Sequence, residues 1–127
     1  MALKNILVYV DNTEAFVTRM GVATALATVH GACVTGLYVR PILEVPRIAD
    51  SVGGRELVES LRQGAERQAH GLHEKFRSLV DPKVPAEWVD VSGNVVESLV
   101  KQARYTDLVI VGQSPVLDGL SRTPGHN

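Results

Sequence analysis

The sequence predicts an α/β fold in which helices cover both faces of an open, doubly wound parallel sheet. Strand-like apolar runs alternate with segments of helical periodicity along the 127 residues, which is typical of a mainly parallel sheet with right-handed crossovers. The first run, residues 6–10, is almost continuously apolar and rich in β-branched side chains, as expected of a central strand that is covered on both faces. The predicted order is β-α-β-α-β-α-β, followed by a loop.

The first half of the chain contains a strand, a helix and a second strand. The first strand stops at Asp11, and Asn12 and Thr13 are residue types that cap helices. The helix that follows ends at Gly31, and its apolar residues recur at helical spacing at Phe16, Met20, Ala23 and Ala27. A second strand is predicted over residues 33–39, and a proline-containing loop runs from there to about residue 50.

The longest helix is predicted in the middle of the chain. Its apolar residues recur every three or four positions, at Leu57, Leu61, Ala65, Ala69, Leu72, Phe76 and Leu79. Prolines end this helix, and residues 84–91 are predicted to form a third strand. Glu87 and Asp90 interrupt the apolar residues of that strand, which is typical of a sheet edge.

The last predicted elements are a short helix and a fourth strand. Asn94 and Glu97 stand at capping-box spacing at the start of the helix. The fourth strand covers residues 108–111 and is as apolar as a central strand, whereas residues 112–127 show no periodicity and are predicted as a loop. No further strand is predicted to pair with the outer side of the fourth strand, and an uncovered edge favours association.

Composition excludes several classes of function. Thirteen basic and fourteen acidic residues give a net charge of -1, so no basic patch for nucleic acid is predicted. The apolar runs are far shorter than the roughly 20 residues that span a bilayer, and the N-terminus does not have the pattern of a signal peptide. Cys33 is the single cysteine, which fits a reducing compartment. We therefore expect a single cytoplasmic domain over residues 1–127.

Three segments together resemble the universal stress protein family: residues 6–14, the glycine-opened third helix, and residues 106–112. The resemblance covers nearly the whole chain and implies a Rossmann-like sheet of the adenine nucleotide alpha hydrolase type, with strand order 3-2-1-4-5. The chain ends before the last helix and the fifth strand of the family, so the expected order is 3-2-1-4, with residues 113–127 as a tail. Because family members commonly dimerise, we expect a homodimer or higher association through the edge of the fourth strand.

The phosphate-binding motif of the family is only partly matched. Nucleotide-binding members carry a glycine, two residues, a second glycine, nine residues, and then a glycine followed by serine or threonine. The corresponding positions here are Gly112, Pro115, Gly125 and His126. Proline has no backbone N–H to donate to a phosphate, and histidine replaces a small hydroxyl donor. These departures predict weak or absent ATP binding.

The resemblance also implies where the rest of a nucleotide would lie. Asp11 matches the family aspartate near the nucleotide, and Val39 matches the position whose backbone meets the adenine. Val111 and Gly112 match the start of the phosphate loop, and Gly125 matches its later glycine. Without a ligand, Asp11 is explained as a helix cap and Gly112 as a turn glycine.

Two functions remain as hypotheses. The first is a non-enzymatic regulatory or binding module, acting as a dimer or as part of a tandem protein. The alternative is an ATP-binding protein that uses Asp11, Val39 and Gly112 together with magnesium, with or without slow ATP hydrolysis. The long helix also carries four polar residues at helical spacing, Glu66, His70, His73 and Glu74. A solvated helix face explains these residues better than a metal site does.

Overall fold

The computed structural model describes residues 3–40 and 52–112. Within these ranges the elements are β1 (Asn5–Tyr9), α1 (Glu14–His30), β2 (Cys33–Arg40), α2 (Gly54–Leu79), β3 (Ala86–Ser92), α3 (Val95–Ala103) and β4 (Leu108–Ile110). The predicted order of strands and helices is confirmed, and the boundaries agree to within three residues. The predicted loop after β2 and the predicted tail over residues 113–127 lie outside the described residues.

The four strands form one parallel sheet in the order β3-β2-β1-β4. Ile6 of β1 lies between Val34 of β2 and Leu108 of β4. This topology confirms the predicted strand order and the prediction that β3 is an edge strand. The strand order reverses between β1 and β4, and in such sheets a crevice opens beyond the carboxyl ends of the strands at this point.

Both faces of the sheet are covered, as predicted for a central first strand. Alternate residues of β1 point to opposite faces. Ile6 and Val8 pack with α1 and α2 in a cluster that includes Phe16 and Phe76. On the other face, Leu7 and Tyr9 pack in a second cluster with Leu37, Val39, Val95 and Leu99.

Two helix ends follow the capping residues found in the sequence, whereas Thr13 is the N-cap of α1 without a side-chain cap hydrogen bond. Gly31 ends α1 with a left-handed backbone (φ 67°), a conformation that glycine adopts without steric cost. The backbone N–H of this cap donates to Ala27 O. At the start of α3, Asn94 Oδ1 accepts from Glu97 N–H at 3.0 Å, which confirms the N-cap role of Asn94.

The apolar stripe predicted along α2 is well buried only in the C-terminal half of the helix. Its C-terminal half is buried at Ala69, Leu72 and Phe76, but Leu57 and Leu61 near its start are 49% and 40% exposed. A helix of 26 residues is about 39 Å long at 1.5 Å per residue. The strands beneath it have at most 8 residues, or roughly 26 Å, so the sheet is too short to cover the whole stripe.

Trp88 on the edge strand β3 packs against α2. Its ring lies 5.4 Å from that of Phe76 and is stacked on that of His73 at 4.6 Å. Gly36 of β2 makes this packing possible, because a Cβ at that position would lie 2.8 Å from Phe76 and 3.1 Å from Trp88. Across residues 3–40 and 52–112, no helix has both the length and the apolar composition needed to cross a membrane.

Candidate functional site

A cavity of about 260 Å³ lies at the carboxyl ends of β1 and β2. Asp11 and Val39, which the sequence placed near a nucleotide, both line it. The remaining lining comes from the ends of β1 and β2, from α2 and from the start of α3, and includes Tyr9, Asn12, Tyr38, Arg40, Gln68, Leu72 and Gly93. The fold therefore brings together these two predicted site residues, which are 28 positions apart in the sequence.

Asp11 is held in place by neighbours on the same turn and on α1. Its Oδ1 accepts from the Thr13 backbone N–H at 3.2 Å and from the Thr13 hydroxyl. Arg19 Nη2 lies 2.8 Å from the same oxygen. In the described part of the chain, the buried Oδ2 has no hydrogen-bond partner. Asp11 thus braces the turn that leads into α1, as a local structural role would require, and keeps one oxygen free as an acceptor.

Arg19, which pairs with Asp11 but does not itself line the cavity, is a residue that the sequence analysis missed. It is only 5% exposed, its Nε donates to Tyr9 O at 3.2 Å, and its guanidinium lies 6.0 Å from the centre of the Tyr9 ring. The ion pair with Asp11 does not have the alignment of a hydrogen bond, and Nη1 and Nη2 have no hydrogen-bond partner among the described residues.

The sequence did contain a signal for the burial of Arg19. The residue lies three positions after Phe16 and four before Ala23, both of which are buried on α1. Helical periodicity therefore places position 19 on the inner face of the helix. A charged side chain at such a position needs a buried partner, and Asp11 at the end of the preceding strand supplies it.

Gly112 lies against Arg19 and does not line the cavity. A Cβ at residue 112 would clash with Arg19 Nη1 and would lie 3.2 Å from Cζ. The close approach of the guanidinium is therefore sufficient to explain a glycine here. Val111 is half exposed and also lies outside the cavity lining. Gly125 lies outside the described residues.

Arg40 closes the other side of the cavity but its charge is already neutralised. Its Nε donates to Asp90 Oδ1 at 2.7 Å, its Nη2 donates to Asp90 Oδ2 at 2.8 Å, and its Nη1 donates to Glu66. Hydrogen bonds to Asp90 and then to Glu66 raise the pKa of Arg40. The guanidinium stays charged and ties together the ends of β2 and β3 and the middle of α2.

Tyr9 adds a neutral phenol to the cavity wall. Burial, and then the Asp11 carboxylate, raise the pKa of Tyr9 above its usual value. The hydroxyl therefore remains protonated near neutral pH. Together with the Gln68 amide, it adds uncharged polar groups to a mainly apolar wall, in which Asp11 is the one carboxylate among the described residues.

The metal interpretation of the long helix is not supported. Within residues 3–40 and 52–112, no group of three or more histidine, cysteine, aspartate or glutamate residues is placed to hold a metal ion. Glu66 pairs with Arg40, and His73 stacks on Trp88. Two of the four polar residues therefore have structural roles on the helix surface.

The fold is that of the universal stress proteins. The structure is similar to that of universal stress protein UspA from Lactobacillus plantarum, with 22% identity and a TM-score of 0.61 over 100% of this chain and 85% of that one. A universal stress protein from Burkholderia pseudomallei matches with 21% identity and a TM-score of 0.62, over 92% of this chain and 86% of that one.

A third similar structure is described as a universal stress protein in complex with cAMP. It matches with 18% identity and a TM-score of 0.58, over 98% of this chain and 81% of that one. No protein-family model matches the sequence, and no curated protein matches it significantly. The structural matches thus establish the fold that the sequence motifs predicted.

Proposed function

We propose that this chain is a non-enzymatic binding module of the universal stress protein type. Its crevice would accept the nucleoside part of an adenine nucleotide, with little or no added affinity for the triphosphate. The observation that carries this proposal is that Asp11 and Val39 share one cavity, whereas the adjacent space beside Gly112 is filled by Arg19. The cAMP complex of a protein with the same fold supports a nucleotide as the class of ligand.

The chemistry of the cavity wall supports binding of the nucleoside part of the ligand. Val39 and Leu72 offer apolar surface, and Gln68 offers an amide that both donates and accepts. The free Oδ2 of Asp11 is a buried acceptor without a partner among the described residues. A ribose hydroxyl that reached it after a small movement of the Asp11 side chain would satisfy it, and this bond would remove the free-energy cost of an unsatisfied buried acceptor.

Two observations argue against binding of the phosphate groups. Phosphate loops direct several backbone N–H groups at the anion, and Pro115 has none to offer. The Arg19 guanidinium, which packs directly on Gly112, is tied to Tyr9 O and paired with Asp11. A phosphate that entered here would have to compete with the Asp11 carboxylate for this guanidinium.

Magnesium is not expected to have a protein site in this crevice. Magnesium prefers several oxygen ligands in octahedral geometry. Asp11 is the one carboxylate among the described residues that line the cavity, and one of its oxygens is already engaged by Thr13 and Arg19. These residues do not fit a resident magnesium ion.

We also propose that copies of the chain associate through the outer edge of β4. In the described structure this strand pairs with β1 alone, and exposed strand edges favour pairing with another chain. The single cysteine and the balanced charge support a location in the cytoplasm.

A second candidate function is ATP binding with slow hydrolysis. It is favoured by one observation: Asp11, Val39 and Gly112 lie at the carboxyl ends of β1, β2 and β4, which are neighbours in the sheet. This function requires the triphosphate to add affinity despite Arg19 and Pro115.

The proposed function is tested by calorimetric titration of the folded protein with adenosine. The Asp11→Asn variant should bind adenosine about tenfold more weakly, because the loss of a hydrogen bond to a charged acceptor costs on the order of 1.5 kcal/mol. Asp81→Asn is a matched control, since Asp81 lies in the turn after α2 at the opposite end of the strands. Absence of adenosine binding by the wild-type protein, or equal affinity in Asp11→Asn, would contradict the proposal.

A further inference from the structure

Two carboxylates fix the Arg40 guanidinium at the carboxyl end of β2. Its Nε and Nη2 donate to the two oxygens of Asp90 at 2.7 and 2.8 Å. Its Nη1 donates to one oxygen of Glu66, and its Nη2 also donates to the other at 3.4 Å. Both carboxylates therefore meet the edges of the guanidinium, because its N–H groups lie in its plane. The two flat faces remain as the main surface through which Arg40 can contact a ligand.

Part of Arg40 borders the crevice, the cavity that Asp11 and Val39 also line. The Arg40 side chain is 27% exposed. Neither Asp90 nor Glu66 lines the crevice, so the edges of the guanidinium that they occupy are directed elsewhere. The crevice therefore meets a flat, positively charged surface with few free donors.

The neighbours of Arg40 in the crevice wall suit an aromatic ring. Tyr38 lies two positions earlier on β2 and so on the same face of the sheet. Leu72 of α2 is 5% exposed and adds apolar surface, and Gln68 lies about one turn before it on the same helix. All three residues line the crevice. Guanidinium planes stack on aromatic rings and on nucleic-acid bases, whereas a ribose is not flat and gains less from such a surface.

The same cluster does not suit a phosphate group. Arg40 pairs with both Glu66 and Asp90, so two carboxylates outnumber one guanidinium and the net charge of the cluster is negative. An anion at this position would meet few free N–H groups and would be repelled by the carboxylates. A neutral aromatic ring meets neither obstacle.

We propose that a flat face of Arg40 stacks on the base of a bound nucleoside and makes the crevice selective for purines over pyrimidines. This inference rests on the proposed nucleoside site and names the residue that selects the base. A purine has two fused rings and covers more of the guanidinium than a single pyrimidine ring, so it gains more from the contact. Asp90 acts through Arg40, as a positioning residue that holds the plane in place.

Calorimetric titration with adenosine and with uridine tests this selection. The wild-type protein should bind adenosine about tenfold more tightly than uridine, in line with measured stacking and cation–π contributions. Arg40→Lys keeps the positive charge but loses the plane, and its preference for adenosine should fall to about threefold or less. Arg62→Lys is the matched control, because Arg62 lines a neighbouring cavity of about 280 Å³ together with Arg40 but does not line the crevice.

Asp90→Asn provides a second variant that leaves Arg40 itself in place. Asp90 does not line the crevice, so a change in base preference in this variant has to pass through the orientation of Arg40. The preference for adenosine over uridine should fall by about threefold. A merely structural role of Arg40 and Asp90 would weaken the binding of both nucleosides equally and would leave their ratio unchanged.

The outcomes separate this inference from the proposed function. Equal affinity of the wild-type protein for adenosine and uridine overturns the selection by Arg40 and leaves the nucleoside site standing. A ratio that stays about tenfold in both Arg40→Lys and Asp90→Asn overturns it as well. If the wild-type protein binds neither nucleoside, the nucleoside site fails and this inference fails with it.

Discussion

Arg19 and Gly112 occupy a shared space at the junction of β1 and β4. Nη1 of Arg19 would clash with a Cβ at residue 112, and Nε of Arg19 is fixed by a hydrogen bond to Tyr9 O. The buried guanidinium thus links α1 to the ends of two neighbouring strands. A side chain at residue 112 would therefore require the Arg19 guanidinium to move.

This relationship predicts a strong coupling between the two positions. Gly112→Ala should destabilise the wild-type protein by about 1–3 kcal/mol, the usual cost of forcing an extra methyl into a packed site. In an Arg19→Ala background the same substitution should cost less, because the clashing atom is gone. Chemical denaturation of the four proteins of this double-mutant cycle measures the coupling. Equal costs in the two backgrounds would show that Arg19 is not what excludes a side chain at 112.

A second steric prediction concerns the edge strand. Gly36→Ala should destabilise the fold by about 1–3 kcal/mol, because its Cβ would lie within 3.1 Å of the Phe76 and Trp88 rings. Gly71→Ala on α2 is the matched control, because nothing lies within 4 Å of its Cβ position. Since alanine favours a helix interior, Gly71→Ala should raise stability by up to about 1 kcal/mol. Thermal melts of both variants test this contrast, and a loss of stability in Gly71→Ala as large as that in Gly36→Ala would contradict it.

Asp107 predicts an acid-dependent contribution to stability. Its Oδ2 accepts from the backbone N–H groups of Lys4 and Asn5 at 2.8 and 3.0 Å, and these bonds lower the pKa of Asp107. A carboxylate with a depressed pKa in the folded state stabilises the fold above its unfolded pKa, near 4, and this contribution is lost as the pH falls through the folded pKa. Asp107→Ala should therefore be less stable than the wild type at pH 7.

The difference between Asp107→Ala and the wild type should shrink below about pH 4. Urea denaturation at pH 7 and at about pH 3 measures it. A difference that is independent of pH would mean that the charge of Asp107 does not contribute.

Much of the fold was predictable because it depends on local periodicity. The apolar run of β1 and the glycine after α1 each have one physical explanation, and the structure confirms both. Strand order was not accessible from periodicity, which does not report which strands are neighbours. It was reached through the motifs of residues 6–14 and 106–112.

The site was only partly predictable for a related reason. Asp11 follows β1 and Val39 lies near the carboxyl end of β2, and the carboxyl ends of parallel strands meet at one edge of the sheet. Arg19 was missed because its role depends on a pairing across elements. Its position on the inner face of α1 was visible in the sequence, but its packing on Gly112 requires the register of β1 and β4.

The central claim is that the crevice keeps a nucleoside site but offers no productive phosphate site. The most direct test is calorimetric titration of the wild-type protein with adenosine and with ATP in the presence of magnesium. We predict that the two dissociation constants differ by no more than about threefold, which corresponds to less than about 0.7 kcal/mol from the triphosphate. Binding of ATP about 100-fold more tightly than adenosine, or about 2.7 kcal/mol, would contradict the account and establish the ATP-binding alternative.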